Sequence, residues 1–424
     1  MPVVALPNGM TANSIQSNPW NPTQYVVSAA TNFGIAGGGG VFIIASSAAG
    51  GASGGAAVMS RVLVPGAGVL DSAISEVNES IVVSGCTDGS LVVSKMGGGG
   101  EGVIMGKIMG NHKSDVASVA WNPSKSNLFA TGSWDRGIRV FDVERVGAAL
   151  NNAGPNQNVT STQFGGPPQG MMTPMMNQPN APQPPLPPPS AVELQAGGHG
   201  AEIYEVSWCP KQPHLLASVG GDGALKIWDM RTATSSSGSA GFQNGNRPPP
   251  PHPGGGGASS PNRPVLSVEA AHGIGQQQGR RNKVMTVSWN NYEPFICATG
   301  GTDNSVKVWD LRKVGGPSAA PPAPLVHLHS GHQAPVRRVR FSPHHRTCLL
   351  SGGYDYRVCM WNLNSGASSP GGGSTTHLQY RHDHHKEFVT DVEWCMNPAN
   401  PLDVSSCSWD GTVALWKLGT ALSL

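Results

Sequence analysis

The sequence predicts an all-β fold, a seven-bladed propeller of small antiparallel sheets with disordered Pro/Gly-rich inserts, and three observations carry that prediction. An Asp followed six residues later by an aromatic recurs five times, as Asp135–Phe141, Asp222–Trp228, Asp303–Trp309, Asp355–Trp361 and Asp410–Trp416. Each pair spans an alternating strand such as "DGALKIWD" or "DYRVCMWN". Upstream, a His stands nine residues before an aromatic that ends another strand: His112 before Trp121, His199 before Trp208, His332 before Phe341 and His385 before Trp394. Four residues ahead of each Asp lies a small hydroxyl, Thr131, Ser218, Thr299, Ser351 or Ser406. Self-similarity at such a period marks units that stack side by side to bury their faces.

In chain order the first two units are degenerate. "YVVSAATNFGIAGGGGVFIIA" keeps only a strand rhythm and a Gly-rich turn, while "ISEVNESIVVSGCTDGSLVVSKM" keeps Ser84 and Asp88 but has Ser94, followed by Lys95, where Trp is expected. Unit three ends on Phe141, and unit four, "HGAEIYEVSWCP…LASVGGDGALKIWDMR", is the most complete copy. In unit five an eight-residue excess around "GIGQQQGRR" separates His272 from its strand. Units six and seven bring the count to seven across residues 1–424, read as one propeller. Closing the ring needs an N-terminal strand paired into the last blade, and the segment before Trp20 is the candidate. Residues 146–189, 232–264, 315–324 and 365–376, rich in Pro, Gly, Ser, Gln and Asn, cannot bury apolar surface and are expected to be disordered inserts at blade junctions and turns.

The repeated residues explain one another chemically. The turn Asp accepts from the His, the His reaches the hydroxyl, and the hydroxyl meets the Trp indole N–H, so every buried polar group is paired. Each bond contributes about 1 kcal/mol net, whereas an orphaned partner costs about 1–3 kcal/mol. This His, Ser/Thr, Asp and Trp set at these spacings resembles the WD40 blade.

Composition excludes several function classes. The 57 Gly, 36 Pro and 12% charged residues fit an all-β core with inserts. A net charge of +2 is too small for an electrostatic nucleic-acid footprint. Seven scattered Cys without CxxC spacing point to a reduced compartment. Met1–Thr11 has no basic leader, and "VFIIA" is too short to span a bilayer, so a soluble intracellular protein without membrane insertion is expected. No nucleophile signature accompanies the recurring Ser, His and Asp, and the "GGGG" runs at 37–40 and 97–100 lack the following Lys-Ser/Thr of a phosphate loop. The cluster "RHDHHKEF" tempts a metal assignment, but His385 is claimed by the hydrogen-bond set of blade seven. Catalytic, metal and cofactor sites are therefore not expected, and the work of such a ring is to hold partners on its rim and end faces.

Counting along the repeat locates one face. The third and fifth residues after each His begin the inner strand there: Asp115 and Ala117, Glu202 and Tyr204, Pro335 and Arg337, Phe388 and Thr390. Counting back from Trp289 gives Lys283 and Met285, and from Ile74 gives Leu70 with neighbouring Asp71. The residue before each turn Asp opens on the same side: Thr87, Trp134, Gly221, Thr302, Tyr354 and Trp409. Acids at Asp71, Asp115 and Glu202, with aromatics at Trp134, Tyr204, Tyr354, Phe388 and Trp409, suggest a site for a basic, apolar peptide. On this count the four Trp-Asp pairs divide. Trp228 and Trp309 end strands inside the hydrogen-bond set, whereas Trp134 and Trp409 precede the turn Asp and are freed for contact.

The stretches "NFGIAGGGG", "HQAPVRRVRFSPHH", "HHKEF" and "CSWDGTVALWKL" resemble the peroxin 7 family over most of Trp20–Leu418, inserts excluded. That resemblance implies a cytosolic receptor for the type 2 peroxisomal targeting signal, a helix of the form basic-apolar-(five residues)-His/Gln-apolar. It implies delivery to the peroxisomal docking complex with a peroxin 5 or peroxin 20/21-type co-receptor, and cycling to the peroxisome matrix or to a related organelle such as the glycosome. A helix-in-groove mode suits the face. Asp115, with Asp71 nearby, would receive the signal's Arg, and Trp134, Tyr204, Phe388 and Trp409 would cover its apolar residues. Arg337 would repel a wrongly registered basic group or contact the co-receptor. A generic WD40 scaffold is one rival. Another is a substrate receptor of a cullin-type ubiquitin ligase, since "WDMR" (Trp228–Arg231) and "WDLR" (Trp309–Arg312) match the Trp-Asp-x-Arg pattern of such propellers, unless each Arg simply pairs with a neighbouring carboxylate.

Overall fold

The computed structural model describes residues 2–46, 55–97, 99–124, 127–147, 158–160, 192–194, 198–232, 262–275, 279–314, 323–366 and 377–418, the side chains of 158–160 and 365–366 excepted. Seven sheets, antiparallel in their inner strands, follow one another around a ring. Their innermost strands are Thr11–Ser17, Val69–Ile74, Val116–Trp121, Ile203–Trp208, Val284–Trp289, Val336–Phe341 and Val389–Trp394. Closure is made as the sequence suggests. Val3–Ala5 pairs with Thr412–Lys417 as the outer strand of blade seven, and the following strand, Thr11–Ser17, opens blade one. The ends of the chain thus cover an edge that would otherwise stay unpaired. Most of the four inserts lies outside the described residues. Asn158–Thr160, within the first of them, pairs in parallel with Lys107–Met109 and covers the outer edge of blade two.

The hydrophobic core is a series of wedges between neighbouring blades. One is built from Ala130, Val140, Ile203, Trp208 and Trp228 of blades three and four; another from Leu350, Met360, Val389, Trp394 and Trp416 of blades six and seven. Each sheet buries both faces against its neighbours, which is why the strands read as nearly continuous apolar runs. Middle strands lie close to the next blade: a Cβ on Gly300 would come within 2.6 Å of Val336. All seven Cys are buried free thiols.

The hydrogen-bond set forms in full in blades four to seven. In blade four His199 Nδ1 lies 2.9 Å from Asp222, its Nε2 lies 2.8 Å from Ser218 Oγ, and the Trp228 indole donates to that hydroxyl at 2.8 Å. Blades five and six repeat the arrangement with Trp309 on Thr299 and Trp361 on Ser351, both 2.8 Å, and blade seven with a longer 3.4 Å bond from Trp416. Burial raises the cost of ionising Asp222, yet its His199 and backbone N–H partners prevail and hold its pKa at about 2. The excess in blade five does not disturb His272, which stands 2.6 Å from Asp303, and Ile274 and Arg281 form an antiparallel bridge on the way to the inner strand. In blade three Phe141 has no N–H to give and stacks instead on Phe129, ring centres 5.0 Å apart. Blade two replaces the set with a serine relay, Ser28–Ser72–Ser84, each step 2.7 Å, and Asp88 takes Lys107 at 2.6 Å.

A bulge opens the inner strand of every blade. Pairing with the second strand skips one residue in each, namely Asn13, Leu70, Ala117, Tyr204, Met285, Arg337 and Thr390. A bulge re-aims its extra side chain. The residues that follow, Ser14, Asp71, Ser118, Glu205, Thr286, Arg338 and Asp391, return to the ladder and form a second ring one level deeper. Members of the deeper ring stitch neighbouring blades. Asp71 accepts from Val119 N–H (2.8 Å), Ser118 from Val206 (3.2 Å), Glu205 from Val287 (2.9 Å), Thr286 from Val339 (3.0 Å) and Asp391 from Ile15 (3.2 Å). Arg338, which has no acceptor to offer, pairs with Glu205 at 2.6 Å and Asp391 at 2.9 Å.

Candidate functional site

The bulge ring surrounds a cavity of about 630 Å³ on one end face, and all seven bulged residues line it. Its walls come from the turns above them. Tyr354 and Phe388 stack with centroids 4.5 Å apart, Phe388 meets Trp409 at 5.4 Å, and Trp409 meets Phe33 at 5.3 Å. These rings form a continuous aromatic wall over blades six, seven and one. Across the ring Trp134 stands edge-on to Tyr204 at 6.4 Å and is 46% exposed. Trp409 is steadied by its indole on Asn13 (3.2 Å), and the backbone N–H of Trp134 by the carbonyl of Asp115 (2.9 Å).

Two half-buried charges in this cavity have no oppositely charged partner among the described residues. Asp115, half-buried beside Trp134, has no cationic partner within ion-pair distance among the described residues; burial, with a smaller contribution from Asp88, raises its pKa. Arg337, half-buried on blade six, likewise has no carboxylate partner among the described residues, and its Nη1 is shielded from solvent without an acceptor.

Of the residues predicted from sequence, Asp115, Trp134, Tyr204, Arg337, Tyr354, Phe388 and Trp409 come together here. Two do not. Asp71 belongs to the deeper ring: it is 8% exposed and committed to the Val119 N–H, with Leu70 taking the face position. The bulge accounts for the difference, because a shift of one residue turns a side chain from the face to the channel. Glu202 stands outside the cavity, tied to Tyr204 Oη at 2.8 Å and to Lys283 Nζ at 2.7 Å, which lower its pKa against the opposing effect of burial. Counting missed Asn13, Phe33, Gly34, Ile35 and Glu387. Phe33 and Ile35 sit on a turn in which Asn32 and Phe33 both adopt positive φ, 47° and 56°, leaving Phe33 47% exposed. Blade one has no turn Asp from which to count; the one available signal was the run "NFGIAGGGG" itself.

The channel beneath the cavity is ionic. Arg340 joins Arg338 on Glu205 (2.7 Å) and reaches Glu393 (3.5 Å). Burial opposes the ionisation of Glu205, but Arg338 and Arg340 prevail and hold it at about 2. Glu393 is dominated by burial, which outweighs Arg340 and pushes its pKa up to about 7.

The four Trp-Asp pairs divide as the spacing indicates: Trp228 and Trp309 are buried in the hydrogen-bond sets, Trp134 and Trp409 line the cavity. The arginines of "WDMR" and "WDLR" pair with their own strand's acid, Arg231 with Asp229 (2.5 Å) and Arg312 with Asp310 (2.8 Å). His385 stands in its blade's hydrogen-bond set, 2.8 Å from Ser406. No helix among the described residues is long and apolar enough to cross a membrane.

The sequence pattern described as WD domain, G-beta repeat, matches residues 105–142, 193–229, 274–310, 324–362 and 376–417. These segments carry the three inner strands of blades three to seven, and the unmatched blades one and two are the degenerate copies. Ring and repeats together define a WD40-repeat propeller. More particularly the chain is similar over its full length to the Peroxisomal targeting signal 2 receptor of Saccharomyces cerevisiae, 23% identical over 432 residues that cover 96% of this chain and 97% of that one. Other relatives match in part. The Histone acetyltransferase type B subunit 2 of Debaryomyces hansenii is 29% identical over 33% of this chain and 34% of its own length. Protein transport protein Sec31B of Mus musculus is 21% identical over 82% of this chain but 22% of its own. Relatives with such different names share the repeats, so the propeller alone does not specify a partner.

Proposed function

We propose that this protein is a peroxisomal import receptor whose end-face cavity binds the N-terminal type 2 targeting helix of cargo proteins. The observation that carries this reading is the pairing of an uncompensated acid, Asp115, with aromatic walls on both sides of a single cavity. A basic side chain followed by apolar ones at helical spacing satisfies both features at once. Two turns of helix, about 10–12 Å wide and about 11 Å long, displace more than the 630 Å³ available. The helix therefore lies across the mouth, with one side's anchors inserted. The full-length similarity to a receptor of that name supports the same reading.

In this account the protein works in the cytosol and cycles to the peroxisome matrix or a related organelle. A peroxin 5 or peroxin 20/21-type co-receptor covers the outward side of the helix, and the docking complex receives the assembly. The test is a titration of the purified chain with a labelled type 2 signal peptide, with and without co-receptor. Saturable binding in the presence of co-receptor is expected, and its absence would overturn the reading.

A further inference from the structure

We propose that Arg337 is a second electrostatic anchor of the end-face cavity, receiving an anionic group of the bound peptide at the opposite side from the basic group held by Asp115. The inference rests on the reading that the cavity takes a basic, apolar helix, and it adds a requirement that reading does not contain.

The chain places three arginines within four residues of blade six, and they differ sharply in environment. Arg338, 1% exposed, is paired with Glu205 and Asp391; Arg340 is paired with Glu205. Arg337, set by the bulge on the face instead, is the one basic side chain among the seven bulged residues, and it has no carboxylate partner among the described residues. A guanidinium held in an apolar, aromatic-walled cavity without an acceptor is costly, and a partly buried donor recovers that cost when an acceptor arrives. Glu387, the other acid lining the cavity, is solvent-exposed and makes no ion pair with Arg337.

A ligand with only positive charge would satisfy Asp115 and be penalised by Arg337. A helix with a basic residue near its N-terminus and a carboxylate further along satisfies both, and its macrodipole has the same polarity. Asp115 on blade three and Arg337 on blade six thus set the direction of the helix across the face, N-terminal end over blade three. Charge-assisted, bidentate recognition of carboxylate is what Arg does best.

The experiment uses full-length protein with co-receptor and a family of labelled peptides of the basic-apolar-(five residues)-His/Gln-apolar form. Glu is placed at each variable position in turn, with Gln as its control. At one position, or at two a helical turn apart, Glu should bind about 5- to 10-fold more tightly than Gln, the range of a partly desolvated ion pair. The preference should vanish in Arg337→Gln, survive Glu387→Gln, and invert in Arg337→Glu so that Lys is favoured at that position. Thermal melting of the three variants should match the parent, since none of these side chains supports the ring. Saturable binding in which Glu and Gln are equal at every position, or a preference unchanged by Arg337→Gln, would overturn the proposal while leaving the receptor reading intact. Absence of binding by every peptide would overturn both.

Discussion

Two rings of seven side chains lie one residue apart in sequence and do opposite work. In the deeper ring each charge is answered: Arg338 by Glu205 and Asp391, Asp71 and Asp391 by backbone N–H groups of the next blade. On the face, Arg337 in the bulge ring of blade six and Asp115 across from it on blade three have no oppositely charged partner among the described residues. The difference is not one of residue type, since Arg337 and Arg338 are adjacent and identical. The backbone register sorts them, and a charge left unanswered on a concave, aromatic surface is available to a partner.

The strongest way to break this contrast is to exchange the fates of the two arginines. Arg338→Met takes the 2.6 Å and 2.9 Å partner from the buried Glu205 and Asp391, leaving Arg340 as their one remaining cation, and should cost about 3 kcal/mol in urea unfolding, a large share of a domain's stability. Arg337→Met should stay within about 0.5 kcal/mol of the parent. Equal losses would erase the distinction between the rings. On the face, Asp115→Lys puts a like charge against the signal's basic residue and should weaken peptide binding by about 100-fold, roughly 2.7 kcal/mol, with the melting temperature unmoved.

The channel supplies a sharper, pH-dependent test. Burial raises the pKa of folded Glu393 to about 7, against 4.5 for the solvent-exposed carboxyl of the unfolded chain. Between those values the folded state holds the extra proton, so stability falls as pH rises from about 4.5 through 7 and is level above. Glu393→Gln should remove that slope, stabilising the protein by about 1–3 kcal/mol above pH 7 and by little below pH 4.5. A variant that follows the parent at every pH would show that Glu393 is not held neutral by burial. The smallest effect belongs to the residue that counting missed: Phe33→Ala, which removes one end of the aromatic wall, should weaken signal binding by about 5- to 10-fold, about 1 kcal/mol or slightly more.

How far the sequence could be read follows from the same geometry. In blades three to seven the His–hydroxyl–Asp set fixes where each strand starts, so counting from it reached Asp115, Trp134, Tyr204, Arg337, Tyr354, Phe388 and Trp409. In blade two the count reached Leu70, which lines the cavity, and the error lay in adding its neighbour Asp71, which the next register position turns from face to channel. Phe33 and Ile35 were out of reach because blade one lacks the framework, and consecutive positive φ angles at Asn32 and Phe33 leave no periodicity to detect. The pairing of Arg338 with Glu205 and Asp391, on blades four and seven, depends on ring closure, which no local pattern encodes.

The measurement that bears most directly on the central claim is a titration of labelled type 2 signal peptide into the full chain with co-receptor, run in parallel on the parent, Asp115→Lys and Arg247→Glu. Residue 247 lies in the second insert, remote in sequence from every cavity residue. The account predicts saturable binding for the parent and Arg247→Glu alike, and a loss confined to Asp115→Lys. Equal losses in the two variants, or no saturable binding by the parent, would contradict it.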